Sequence, residues 1–146
     1  MEIVRLSKKD VDDVLRIDNL AFSDYDIPPI AKKELLGFLD DGFILGIREN
    51  GMLVSNIQVA PKDTGWFIEG IATLPEKQGH GFADMLISEA VKLARKKKIG
   101  KISATIKPGN AKSAELFKKH GFREEGFLKD YYGKGKHRIL VSAILE

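Results

Sequence analysis

Gln78-Gly79-His80-Gly81-Phe82-Ala83 is the stretch on which the fold turns, because it separates two segments of different periodicity. Before it, Trp66-Phe67-Ile68-Glu69-Gly70-Ile71-Ala72-Thr73 is mostly apolar and partly β-branched, bounded by Gly65 and Pro75, and so predicts a buried strand. After it, Phe82, Met85, Leu86, Ala90, Leu93 and Ala94 recur at helical spacing, while Asp84, Ser88, Glu89, Lys92 and Arg95 fill the opposite face. Gly79, Gly81 and Ala83 therefore stand where a strand becomes a helix. A helix start carries unpaired N–H groups and partial positive charge, and residues lacking bulky side chains let an anion approach that backbone. The stretch predicts a phosphate-holding turn. A nicotinamide fingerprint would need glycine where Asp84 stands, and a Walker loop would need Gly-Lys-Ser/Thr, which the stretch lacks.

Working outward, residues 2–6 alternate as a first strand, and Ser7 with Asp10 forms a capping pattern for a helix whose apolar side is Val11, Val14, Leu15 and Ile17. Residues 21–29 read as a loop centred on Asp24, Tyr25 and Asp26, and Pro28-Pro29 suits the start of a second helix through Leu39. Strands over 43–48 and 52–60 flank Asn50-Gly51, a hairpin signal, and residues 61–65 turn the chain toward the central strand. Beyond the central helix, Gly100 precedes a strand over 101–106, Pro108-Gly109-Asn110 leads into a helix bearing Ala114, Leu116 and Phe117, and Gly121-Phe122 closes it. Two final strands follow, the last over 139–145, giving the order β-α-α-β-β-β-α-β-α-β-β. There are no repeats and no low-complexity tracts.

The 146 residues suit one domain, 1–146, that buries a core without metal or disulfide. With no cysteine there is neither a disulfide framework nor a thiol nucleophile, and no metal site is expected. No long apolar run and no leader pattern is present, so a cytoplasmic protein without membrane contact is the expectation. The net charge of +3 is unevenly spread: residues 1–91 carry 9 Lys/Arg against 16 Asp/Glu, and residues 92–146 carry 15 against 5. Such a basic portion attracts polyanions, but no base-reading motif accompanies it. Arg95-Lys96-Lys97-Lys98 reads as a solvated helix end that complements the helix dipole, so no nucleic-acid partner is expected.

The pattern Gln-x-x-Gly-x-Ala at Gln78, Gly81 and Ala83 resembles the acetyl-CoA pyrophosphate loop of the GNAT N-acetyltransferase family. A second motif, Asn110, Ala114, Leu116-Phe117 and Gly121-Phe122, is similar to that family's Asn-x-x-x-Ala-x-x-Leu-Tyr-x-x-x-Gly-Phe signature, with Phe117 in place of the usual tyrosine. The resemblance spans nearly the whole chain. It implies an α/β (α+β) single-domain fold with a mixed, mostly antiparallel sheet, splayed fourth and fifth strands and flanking helices. It implies acetyl-CoA (coenzyme A) as cofactor, with backbone groups of Ile71, Ala72 and Thr73 along the pantetheine. Gln78, Gly79, His80, Gly81, Phe82 and Ala83 would take the pyrophosphate, and Asn110, Ser113 and Phe117 would also contact the cofactor. Dimers are frequent in the family, so a homodimer is among its implications.

Acyl transfer to an amine needs a neutral amine, a stabilised oxyanion and a protonated leaving thiolate. Glu69 is the one charge in an otherwise apolar strand, where burial would raise its pKa, and it is the candidate general base. A backbone N–H near Ile71 is the candidate oxyanion donor. Phe117 cannot give a proton, so Tyr131 or Tyr132 is the candidate acid, with solvent as the alternative. His80 belongs to the phosphate loop rather than to the chemistry. Without a cysteine carrier, the acetyl group is expected to pass directly to the amine in a ternary complex. The acceptor expected is a small-molecule amine, with Asp24, Tyr25 and Asp26 as substrate-binding candidates because their acidity suits a cation. A peptide N-terminus is the second choice: Tyr131-Tyr132-Gly133-Lys134-Gly135 resembles the Tyr-Tyr hairpin of protein N-terminal acetyltransferases, although His137-Arg138 replaces the Asp-Ala pair found there. The rival classes are a CoA-binding module without catalysis, suggested by Phe117, and a nucleic-acid-binding protein.

Overall fold

The structure, a computed structural model, describes residues 2–22 and 30–145. Its elements run β1 (Ile3–Arg5), α1 (Val11–Ala21), α2 (Lys32–Asp41), β2 (Phe43–Glu49), β3 (Met52–Lys62), β4 (Gly65–Thr73), α3 (Phe82–Lys96), β5 (Lys101–Ile106), α4 (Ala111–Lys119), β6 (Arg123–Leu128) and β7 (Arg138–Ile144). This is the order that the periodicity predicts, with two short 3-10 turns, Lys8–Asp10 and Pro75–Lys77, added. Two compact units are distinguished, residues 1–60 with 69–86 and residues 61–68 with 87–146.

In the first unit, β1 pairs antiparallel with β2 and β2 with β3. The β2–β3 turn has positive φ at both central residues, Asn50 (50°) and Gly51 (80°), as a two-residue hairpin of this hand requires. Asp10 accepts the Ser7 N–H at 2.8 Å and bridges Arg48 at 2.7 Å, so the expected cap also ties the start of α1 to β2. Val11, Val14 and Ile17 of α1 are fully buried, as are Ile47, Leu53 and Ile57 of the sheet. α2 starts at Lys32, after an extended Ala31, and ends at Asp41 rather than Leu39. The predicted start at Pro28-Pro29 lies outside the described residues.

In the second unit, Trp66, Phe67 and Ile68 of β4 run parallel to Ile102, Ser103 and Ala104 of β5. The register ends there, while β4 itself extends to Thr73. β5 pairs antiparallel with β7, and β7 with β6, so within this unit the strands take the order β4-β5-β7-β6. β3 continues through Pro61 to Lys62, and the turn falls at Asp63, whose φ is 54°. The missing N–H of Pro61 is tolerated because it stands near the exposed end of the strand.

Candidate functional site

The first unit carries the phosphate loop. A 3-10 turn, Pro75–Lys77, delivers the chain to Gln78, and α3 starts at Phe82. Gly79 and Gly81 both have φ of 83°, a conformation that only glycine takes without strain, and open space lies where a Cβ would project. Among the described residues, no protein acceptor takes the N–H of Gly79, His80, Gly81, Phe82 or Ala83; the first bond of the helix is Met85 N–H to the Gly81 carbonyl at 3.0 Å. Consecutive uncommitted donors at a helix start form an anion cradle. Phe82 is buried beneath the loop, and the exposed His80 ring lies stacked 6.0 Å from it. His80 is thus a loop-surface residue, as its position predicts.

The loop is fastened to the end of β4. Gln78 Nε2 donates to the Thr73 carbonyl at 3.3 Å, and Thr73 Oγ1 lies 2.8 Å from Ser55 Oγ, which donates to the Ala72 carbonyl at 3.0 Å. Leu74 N–H bonds the Val54 carbonyl at 2.9 Å. The Thr73 carbonyl is thus engaged by Gln78 and the Ala72 carbonyl by Ser55.

The sequence reading missed a polar layer on β3. Asp18 of α1 is 6% exposed and accepts from Gln58 Nε2 at 2.8 Å and from Asn56 Nδ2 at 3.3 Å, and Gln58 also donates to Asn56 Oδ1 at 3.0 Å. Burial holds the Asp18 carboxyl above its ordinary value of 3.8, and the two amides offset this only in part. The signal was the run Ser55-Asn56-x-Gln58 inside an otherwise apolar strand.

Glu69 departs from expectation. It is exposed, while Trp66, Phe67 and Ile68 before it are buried. The composition of the strand suggested an apolar surrounding, but this side chain is exposed. Gly70, beside it, packs close to Gln58 Oε1, 3.4 Å from where a Cβ would stand. Asp24, Tyr25 and Asp26 lie outside the described residues.

In the second unit, Asn110 caps α4 through Oδ1, accepting the Ser113 N–H at 3.1 Å, which leaves its amide nitrogen uncommitted. Beside it opens a cavity of about 380 Å³, walled mainly by Ile106, Ala114, Phe117, Phe122, Ile139 and Val141. That volume is in the range of small-molecule sites. Phe117 is buried and packs edge-on to Phe122 at 5.0 Å, and Ser113 is half-buried. The residue in the tyrosine's place is thus an apolar wall. Tyr131 and Tyr132 are partly exposed, in edge contact at 4.8 Å, with the Arg138 guanidinium 4.7 Å from the Tyr132 ring centre. Among the described residues, no group of His, Asp or Glu is placed to hold a metal, and no helix is long and apolar enough to cross a membrane.

Known proteins share this architecture. A ribosomal-protein-S18-alanine N-acetyltransferase from Escherichia coli superposes with a TM-score of 0.88 at 17% identity, over 99% of this chain and 94% of that one. The PaiA N-acetyltransferase from Thermoplasma acidophilum, solved in complex with coenzyme A, superposes at 0.79 with 17% identity over 98% of each chain. In sequence, a Bacillus subtilis (strain 168) protein, provisionally named a ribosomal protein bS18-alanine N-acetyltransferase, is 32% identical over 74 residues. That match spans 51% of this chain and 49% of the relative, about half of each. Residues 11–122, which include the phosphate loop and the Asn110 motif, match the model of the acetyltransferase (GNAT) family, and the chain belongs to that family.

Proposed function

We propose that the protein transfers an acetyl group from acetyl-CoA to a primary amine, and that the amine is the N-terminus of a peptide or protein. The observation that carries the cofactor is the row of uncommitted N–H groups from Gly79 to Ala83, with left-handed glycines that let a diphosphate approach. Acetyl-CoA, when bound, supplies an acetyl thioester activated toward amines. Coenzyme A is present in the solved Thermoplasma relative, which supports its use as a family property.

The chain's own residues divide the remaining work. Gln78 holds the loop to the Thr73 carbonyl, keeping the cradle in line with the edge of β4. The N–H of Ile71 is the oxyanion donor. In the second unit, the amide nitrogen of Asn110 and the Phe117 wall offer contacts beside the cavity. Glu69, exposed to solvent, takes the ammonium proton through water rather than by direct contact. Tyr131 or Tyr132, partly exposed in the second unit, would supply the proton that a leaving thiolate needs. The acetyl group passes directly between the two substrates, because no cysteine can carry it.

A peptide acceptor is favoured over a small amine by the exposed tyrosine pair and by the names of the Escherichia coli and Bacillus subtilis relatives, both alanine N-acetyltransferases of a ribosomal protein. The test is to assay peptides with free N-terminal alanine, the same peptides blocked at the N-terminus, and a panel of small primary amines with acetyl-CoA. Acetylation confined to the free peptides is expected; turnover of polyamines alone would move the acceptor to the small-amine class.

A further inference from the structure

The topology of the second unit gathers its cations at one end. β5 and β6 both pair antiparallel with β7, through Ser103 and Arg123 each opposite Ser142, so they run parallel and start at the same end. α3 delivers the chain to the start of β5, with Ile99 N–H closing on the Ala94 carbonyl at 2.8 Å, and α4 delivers it to the start of β6. The carboxyl ends of the two helices therefore lie over that end. They place Arg95, Lys96, Lys97, Lys98, Lys118, Lys119 and Arg123 there, and all seven are exposed. Among the described residues, no carboxylate pairs with Arg95, Lys96, Lys97, Lys98, Lys118 or Arg123, while the Glu125 carboxylate at that end is occupied by Lys101 at 2.6 Å. One or two cations suffice to complement a helix dipole, so seven exceed what that role explains.

We infer that this basic end is a docking surface for a nucleic-acid phosphate backbone. The ligand class follows from the form of the patch. Ala94 and Phe117 pack the apolar faces of α3 and α4 inward, so neither helix has an apolar stripe to insert into a bilayer. Cations spread over two helix ends and a strand start suit a line of phosphates instead, without base readout. Lys118 and Arg123 also border the cavity beside Asn110, whereas Arg95, Lys96, Lys97 and Lys98 do not line it, so the latter carry the test of this surface apart from the acetyl-transfer reading.

The probe is a fluorescent 20-nucleotide RNA, titrated with the full chain across a range of salt, beside a duplex DNA of the same length. Binding with a log–log salt slope of about −3 to −4 is expected, corresponding to about five phosphates engaged. Lys96→Glu, Lys97→Glu and Lys98→Glu together should lower RNA affinity at least tenfold and flatten the slope, and the Lys→Gln triple should fall between. Acetyl-CoA binding by both triples should match the wild type, which reports that they fold and separates this proposal from the acetyltransferase reading. Saturating coenzyme A should leave RNA bound. The proposal is overturned by an absence of RNA binding at 50 mM salt, by equal binding in the triple variants, by displacement with coenzyme A, or by preference for phosphatidylserine vesicles over RNA.

Discussion

At the scale of single residues, Glu69, Gly81 and Asp18 carry separable predictions. Glu69→Gln keeps shape and removes the acceptor of a proton, so kcat should fall about 10²-fold or more while the affinity for acetyl-CoA is unchanged. Full turnover at pH 7 in that variant would remove Glu69 from the mechanism. Gly81→Ala should cost about 1–2 kcal/mol, because a Cβ is strained at φ of 83°, and should weaken acetyl-CoA binding at least tenfold through the displaced amides. Calorimetric titration of the variant at a temperature below its melting point measures the second effect free of the first. For Asp18 the sign follows from burial. Its folded pKa lies above 3.8, so the native state holds a proton that the unfolded chain has released, and stability falls as pH rises from about 4 through the folded pKa. Asp18→Asn changes the hydrogen bonding by a pH-independent offset but removes the titration. The melting temperature of the wild type relative to the variant should therefore drop between pH 4 and pH 7, and a constant difference would contradict the buried-acid account. The sequence showed Glu69 as a charge in an apolar run but not which way it faces. β4 runs three consecutive buried residues before Glu69, so strict alternation would not have revealed its exposure.

At the scale of elements, the legible parts were those whose local chemistry decides the geometry. Asn50-Gly51 fixes its hairpin, Ser7 and Asp10 fix the start of α1, and Gln78 to Ala83 fixes the junction into α3, because each is settled within a few residues. The extension of β3 through Pro61 and the start of α2 at Lys32 were less legible, since strand pairing and helix packing decide them. The same contrast governs Asn110. As the cap of α4 it is readable from sequence, and Asn110→Ala should lower stability by about 1 kcal/mol, or a few degrees in Tm. Its second role, offering an amide nitrogen beside the cavity, predicts a weaker affinity for coenzyme A. Asn110→Asp separates the two: the cap is retained, so Tm should recover, while coenzyme A affinity stays reduced. Recovery of both would leave Asn110 a cap and nothing more.

At the scale of the whole molecule, the charge imbalance between the two sequence portions was visible, but its spatial meaning was not. Linear spacing makes Arg95 to Lys98 an ordinary helix end, and only the parallel course of β5 and β6 brings Lys118, Lys119 and Arg123 to the same end. The acceptor was illegible for a different reason: loop side chains such as those of Tyr131 and Tyr132 carry no periodic signal from which a partner could be read. The central claim, that the amides beginning α3 hold the diphosphate of coenzyme A, is tested most directly by calorimetric titration of the purified full chain with acetyl-CoA, repeated with dephosphorylated pantetheine. The account predicts one saturable site per chain for acetyl-CoA and binding at least a hundredfold weaker for pantetheine. Equal affinity for the two, or no heat with acetyl-CoA, would contradict it.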